Sequence, residues 1–536
     1  MFSYIFKKIR FYLMRNFCKS EEPINESDEE SEFSFELNKN LDALKEIIGN
    51  SSDIVIRRFS FGNKSQIQAA MIFVDGLIDK ALVNENVLKP LMYDIHLVSE
   101  IEPSKIDHIH YIKSALLHVG EIEESGSINE AVDAFLSGDT VLLIDGSNEA
   151  LIMGSRGWKS RGIEEPKTES VVRGSREGFT ETLRFNTSML RRRIKSPDLK
   201  LEAMKIGVRT KTDICIAYID GIVNPKLIEE IKKRLSRINT DAILESGYIE
   251  QYIEDAPFSI FSTVANSEKP DRVAAKLLEG RAAILVDGSP FVLTVPMLFV
   301  ESFQSAEDYY SRPFFSSMVR SLRFLAFFFS ILAPASYVAL ANYHQELIPT
   351  PLLLTMSSAH EGVPFPAVLE AGLMLIAFEI LREAGVRLPR PIGQAVSIVG
   401  ALVIGESAVS AGLIGAPMVI VVAITAVSSF VVPAQSDSEA IMRFLLLILA
   451  GFMGGYGIAI GLLAIFIHLT SLRSFGTPYL SPLAPYNTDD MKDTFIRAPI
   501  WAMIRRPKNF FQRDIVRQTS SLKPEPPSGN GKEAQQ

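Results

Sequence analysis

The sequence predicts a duplicated α/β soluble N-terminal domain followed by an all-α polytopic membrane domain. Three observations carry that expectation. No lysine or arginine occurs from Phe324 to Leu381, nor from Pro391 to Met442. A charged side chain at the centre of a bilayer costs several kcal/mol, whereas a soluble surface needs charges at short intervals. Before Phe324, short β-branched runs such as DIVIRRFSF, TVLLIDG, DICIAYIDG and AAILVDG alternate with amphipathic helices such as PKLIEEIKKRLSRI, an α/β or α+β pattern. Those runs also recur in the same order.

Composition agrees with a hybrid of this kind. At 536 residues the chain has room for two or three domains, and 47% hydrophobic content averages an ordinary soluble part with a very apolar one. The net charge of −8 argues against a nucleic-acid partner. Only Cys18 and Cys215 are present, too few for a disulfide framework, which points to a reducing compartment.

Residues 1–35 form a basic amphipathic start and an acidic linker. MFSYIFKKIRFYLMRNF is broken by Lys7, Lys8 and Arg10 and lacks a small-residue cleavage site, so it is not a signal peptide. Phe2, Ile5, Phe6, Ile9, Leu13 and Phe17 recur at helical spacing with cations opposite. They describe either an interfacial helix on an anionic leaflet or a flexible terminus. SEEPINESDEESEF (20–33) has little to bury and reads as disordered.

Two soluble subdomains follow, at 36–170 and 171–305. MIFVDGLID (71–79) matches IAYIDGIVN (216–224), and TVLLIDGSNEAL (140–151) matches AAILVDGSPFVL (282–293). Asp75 and Asp145 in one half correspond to Asp220 and Asp287 in the other. The Asp-Gly pairs read as turns at strand ends, because glycine supplies positive φ. A cleft between two such copies is a place for a small ligand or a partner.

The stretch VVRGSREGFTETLRFNTSMLRRRIKSPDLKLE (171–202) opens the second copy with concentrated positive charge. Such a run is either a solvated face with local carboxylate pairs or a conformational and subunit-contact element. Arg173, Arg176, Glu177, Arg191, Arg192 and Arg193 are the coupling or assembly candidates. No phosphate loop, dinucleotide fingerprint, HExxH or CxxC occurs, and His108 and His110 form an isolated HxH. The sequence therefore predicts no enzyme, no cofactor and no metal site.

The membrane domain spans 306–475. Its first span is LRFLAFFFSILAPASYVALAN, and the preceding Arg320 and Arg323 place its start on the cytoplasmic side. The second, PAVLEAGLMLIAFEIL, returns to Arg382, Arg387 and Arg390. Glu370 and Glu379 lie nine apart and face different directions, with Glu379 able to pair with Arg382 at helical spacing. The basic tail, 476–536, belongs on the cytoplasmic side and is disordered at its end. That requires an even number of crossings, met by making 391–410 re-entrant and by full crossings at about 412–432 and 442–470. PAQSDSE then lies outside, for about four full spans.

GALVIGESAVSAG combines small residues with Glu406. Small residues permit close helix approach or a water path, and an intramembrane carboxylate is costly unless it faces a cavity or partner. Gly405, Glu406, Ser407, Ser410 and Gly412 are therefore the pore-lining candidates. The other reading of Glu406 is an interfacial carboxylate near a short helix end.

From Leu41 to Pro485 the chain resembles the A subunits of spore germinant receptors, the GerA type. The resemblance rests on VVRGSREGFTETLRFNTSMLRRRI, DAILESGYIEQYIED, KPDRVAAKLLEGRAAILVDGSPFVLTVP, EDYY, HEGVPFP, FEILREAGVRLPRPIG, GESAVSAGLIGAP and HLTSLRSFGTPYLSPLAP. Ser175 stands where a proline is common in that family, and EKPD (268–271) departs from its usual TERPD. The resemblance implies a multi-pass protein of the spore inner membrane, with the soluble domain and C-terminus on the core side. It implies a transporter-like B subunit carrying the nutrient site and a lipoprotein C subunit as partners. It further implies a homo-oligomeric ring, a pentamer, whose helices form a nutrient-gated monovalent cation channel. Two readings of other classes stand beside the channel: a receptor-clustering scaffold without its own pore, and a secondary transporter, for which no inverted repeat is evident.

Overall fold

The computed structural model of the chain describes residues 32–61, 67–93, 119–157, 171–387, 405–488, 490–510 and 514–519, with a few single residues between them. The N-terminal amphipathic stretch, most of the acidic linker, His108 and His110, residues 391–402 and the end of the tail lie outside the described residues. The chain divides into two compact units. One comprises Met1–Glu254, Val264–Pro296 and Ala498–Gln536, and the other Asp255–Thr263 and Met297–Arg497. The expected boundary at 305/306 thus falls at Pro296, and the tail is shared: 476–497 belongs to the helical unit and 498 onward to the soluble one.

The soluble unit is a duplication, as the repeated runs predict. Its first copy holds α1 (Leu37–Ile48), β1 (Ile54–Phe61), β2 (Ile67–Val74), β3 (Ile122–Ser125), α2 (Ile128–Ser137), β4 (Thr140–Ile144) and β5 (Ala150–Met153). Its second holds α3 (Leu183–Arg193), β6 (Leu199–Ile206), β7 (Thr212–Ile219), α4 (Pro225–Ser236), α5 (Ser246–Ile253), β8 (Ala265–Ser267), α6 (Pro270–Leu278), β9 (Ala282–Val286) and β10 (Val292–Val295). The sheet orders are β1-β2-β4-β5-β3 and β6-β7-β9-β10-β8. All these pairings are antiparallel, with Ile54 opposite Val74 in one sheet and Leu199 opposite Ile219 in the other.

The Asp-Gly positions explain why the copies match so closely. Asp145 Oδ1 accepts the first free amide of α1 from Leu37 at 3.0 Å, and Asp287 Oδ1 accepts that of α3 from Leu183 at 3.0 Å. Asn40 and Asn186 each clasp the backbone six residues upstream, at Ser34 and Thr180. A carboxylate there satisfies an orphan amide and opposes the helix dipole. These aspartates are more than turn residues; they bolt a helix onto each sheet. Leu41, Leu44, Phe135 and Val141 fill the core beneath α1 and α2, as Leu190, Leu199, Val273 and Leu285 do beneath α3 and α6.

The helical unit contains α7 (Pro313–Asn342), α8 (Thr350–His360), α9 (Ala367–Arg387), α10 (Ala416–Ser429) and α11 (Ser436–Ser471). Two stretches, Pro313–Asn342 and Pro433–Ser471, are long and apolar enough to cross a membrane by length and composition. Large apolar side chains lie on the outside, Val427 68% and Phe452 79% exposed among them, as they do on a lipid-facing surface. Tyr337, Val338, Ala371, Leu375, Met418 and Leu447 pack inside. Arg320 is fully buried and bridges Asp308 and Asp493, while Arg323 also reaches Asp308.

One helix departs from the expected path. α11 reverses at Gly454 (φ 59°, ψ −139°). In a straight helix Leu446 and Gly461 would be about 22 Å apart, at 1.5 Å per residue. Instead, a Cβ built on Gly461 would lie 2.6 Å from Leu446 Cδ2, and one on Gly457 would overlap the Leu449 carbonyl. The segment is a hairpin of two arms. Tyr343, just past α7, donates to the Gly451 carbonyl at 2.6 Å, beside the reversal. The two ends meet again: Gln435 donates to Ser302 and Ser438 to the Ile260 carbonyl, while His468 contacts Ser259 at 2.9 Å.

The expectation of a single crossing at 442–470, with PAQSDSE at the far end, is therefore corrected. Residues 433–439 lie at the end of the unit where the second arm also finishes. Glycines at 454, 457 and 461 make the reversal and close approach possible, and no cation marks the turn for a charge-based count.

Candidate functional site

In the soluble unit the joint between the two copies is built from charge. Arg191, fully buried in the last turn of α3, reaches back to Asp53 in the first copy. Its Nε and one terminal nitrogen each donate to a different carboxylate oxygen at 3.0 Å, and its other terminal nitrogen donates to the Ser196 carbonyl at 3.0 Å. This bidentate geometry uses the planar guanidinium fully. Beside it, Lys200 of β6 donates to the carbonyls of Ile47 (3.2 Å) and Ile48 (2.7 Å) at the end of α1, and to Pro197 (3.0 Å). A cation there meets the negative end of the α1 dipole. Burial nevertheless holds the Lys200 amine below its usual range, with Asp198 and Asp220 opposing that effect. The Ser52 amide and the Leu201 carbonyl complete the joint at 2.8 Å. Cys215 of β7 lies close by, and burial, reinforced by Asp53, pushes its thiol up to about 12.

The structure separates the sequence-predicted coupling residues into three groups. Arg191 serves the joint. Glu177 receives Arg192 and, at 2.7 Å, Arg193, which also donates to Ser175 Oγ at 2.9 Å. Arg173 and Arg176 are exposed. Asp53 and Lys200 were not singled out in the sequence. Asp53 just precedes β1 and Lys200 is the second residue of β6; as lone charged residues they carry no periodic signal.

In the helical unit, residues 405–410 are helical and the turn after them passes through Gly412 (φ 64°). Gly405 is buried, with Val419 Cγ1 at 3.2 Å from a built Cβ, whereas Glu406, Ser407 and Ser410 are exposed and Gly412 is half-buried. Glu406 and Ser410, four apart, share a helix face. The five pore candidates are therefore split: a glycine contacts α10, and three polar side chains point away from this chain's packing.

Two further polar clusters connect the helices. Glu379 pairs with Arg382 at 2.7 Å, as its spacing predicts, and with Arg443 of α11 at 3.1 Å. Arg443 also donates to the Ser330 carbonyl at 2.8 Å, and the Ser330 hydroxyl donates to Glu439 at 2.7 Å. Glu370 faces elsewhere and meets Gly415 and His360. Glu439 and Arg443, at i and i+4 within an apolar run, offered a signal that went unused. His360 and Glu370 are ten apart and offered none.

Among the described residues no group of three or more histidine, cysteine or acidic side chains could hold a metal ion. What this arrangement offers chemically is charge-paired joints and an exposed carboxylate with two hydroxyls on one helix.

Comparison with known proteins gives one consistent result. Residues 42–509 match the family described as "Bacillus/Clostridium GerA spore germination protein". The chain is 47% identical to spore germination protein KA of Bacillus subtilis, over 92% of this chain and 90% of that protein. It is 39% identical to spore germination protein GerLA of Bacillus cereus, over 89% and 97%. Among solved structures it matches the N-terminal domain of the A subunit of the Bacillus megaterium spore germinant receptor GerK3. That match has 38% identity and a TM-score of 0.40, and covers 50% of this chain and 98% of that one.

Proposed function

The chain belongs to the GerA spore germination family, and from that premise we propose that it is the A subunit of a nutrient germinant receptor that assembles into a ring and conducts monovalent cations. The observation that carries the proposal is the exposure of Glu406, Ser407 and Ser410 on one helix of the helical unit, whereas Glu370, Glu439 and Arg443 are buried inside it. An intramembrane carboxylate that its own chain does not bury needs water or a neighbouring subunit to offset its desolvation. In a ring of identical chains, Glu406 would recur around an axis and raise the local cation concentration, while serine hydroxyls replace part of the ions' hydration.

Several features support the reading. Both membrane-length stretches lie in the helical unit. The soluble unit holds its copies together through a buried ion pair, which suits a rigid platform for assembly. A transporter-like B subunit carrying the nutrient site, a lipoprotein C subunit and the spore inner membrane complete the proposed setting, with the soluble unit and tail on the core side.

The test is release of trapped potassium from proteoliposomes holding the purified, oligomeric chain. Release above that of empty vesicles supports the channel. Silence from folded, oligomeric protein, alone and together with its partner subunits, replaces it with the scaffold reading.

A further inference from the structure

Glu370 is fully buried in the apolar packing of the helical unit, where an ionisable side chain persists only when several partners hold it. Its partners come from separate elements. One carboxylate oxygen accepts the Gly415 amide, at the N-cap of α10, at 3.1 Å. The other accepts no hydrogen bond but lies 3.2 Å from Nδ1 of His360, the last residue of α8. His360 Nε2 is 3.0 Å from the Tyr337 hydroxyl of α7. A Cβ built on Gly415 would lie 3.4 Å from His360 Cε1 and 3.5 Å from the Ala359 carbonyl, so the end of α8 lies directly beside the start of α10. One turn earlier, Gly412 ends the helix that carries Glu406, and the Gly362 carbonyl lies 3.9 Å from its built Cβ.

We propose that Glu370 and His360 are positioning residues that clamp the Gly412–Gly415 turn, and with it the end of the 405–410 segment, against α7 and α9. The carboxylate satisfies an otherwise orphan amide and opposes the positive end of the α10 dipole. His360, itself held by Tyr337, stands within ion-pair distance of that carboxylate. Ile414 of the turn packs in one apolar cluster with Ala371, Met374 and Leu375 of α9, whereas α8 buries no side chain of its own, so the polar contacts are what tie the end of α8 to the turn. The proposal rests on the pore reading for its consequence, an altered ion path, but not for the clamp itself.

The experiment uses the full chain in detergent micelles and in proteoliposomes, with Glu370→Ala, Glu370→Gln, His360→Ala and the Glu370→Ala/His360→Ala double variant. Amide hydrogen exchange across 411–418 is the first readout, and potassium leak is the second. Exchange there rises at least tenfold in Glu370→Ala and returns close to wild type in Glu370→Gln, whose amide oxygen still accepts from Gly415. The double variant exceeds the larger single effect by less than twofold. Exchange in the soluble unit stays unchanged in every variant. Unchanged exchange at 411–418 in folded Glu370→Ala, or effects of the two single variants that multiply in the double, overturns the clamp. Should exchange rise while neither wild type nor any variant conducts, the clamp stands and the pore reading falls.

Discussion

Breaking the Asp53–Arg191 pair should loosen the soluble unit by an amount the geometry sets. Both groups are almost wholly buried, 2% and 0% exposed, and joined by two bonds of 3.0 Å. Removing one partner leaves an uncompensated buried charge, which costs about 3–5 kcal/mol. For a domain of this size each kcal/mol moves the melting temperature by roughly 2–4 °C, so about 4 kcal/mol corresponds to roughly 8–16 °C. Arg191→Ala and Asp53→Ala should each show that loss. Replacing both, as Arg191→Met with Asp53→Leu, should recover most of it, because an apolar pair of similar volume is often neutral. The assay is pulsed alkylation of Cys215 against temperature in the full chain, read by mass spectrometry of the peptide that carries it. Cys215 is 2% exposed in the second sheet and labels only when that sheet opens. Single variants that shift the midpoint by less than about 2 °C, or a double variant no better than either single, would refute the reasoning.

Other predictions concern the hairpin and alkaline stability. A Leu446→Cys/Gly461→Cys protein should form an intramolecular disulfide under mild oxidation, which a straight α11 would forbid. Gly454→Val should abolish that cross-link, because φ of 59° disfavours a β-branched residue and its Cβ would sit 2.8 Å from Tyr343 Cβ. The folded-state value of Cys215, about 12, lies above the ordinary 9.0. The folded chain therefore keeps a proton that the unfolded chain loses. Stability from this group is complete below about 9 and declines as pH rises toward 12. Cys215→Ala should flatten that decline relative to wild type in denaturant titrations at pH 8 and 10.5, and an identical slope would contradict the assignment.

The fold was legible where pattern repeats. The paired Asp-Gly runs announced two copies, and the cation-free stretches announced the apolar unit. What the runs did not reveal was the helix-capping role of Asp145 and Asp287, since an Asp-Gly turn and an Asp cap look alike until the distant helix is placed. The hairpin in α11 escaped because hydropathy is continuous through Gly454 and the reversal depends on one backbone angle. Charge counting missed the reversal for a related reason: no lysine or arginine occurs from Phe444 to Leu472, so nothing marks the turn. At the joint, Arg191 stood out as one of three consecutive arginines, but its partner Asp53 is 138 residues away in sequence. Glu406 was visible as a carboxylate among small residues, while Glu370, the better-buried one, was masked by its ordinary helical surroundings.

The most direct test of the central claim is the cation-to-anion permeability ratio of the purified chain in planar bilayers, wild type beside Glu406→Lys, with potassium chloride gradients. A pore ringed by Glu406 should favour cations in the wild type and lose or invert that preference in the variant, with assembly unchanged. Equal ratios from two conducting, equally assembled proteins would place the ion path away from Glu406 and contradict the account.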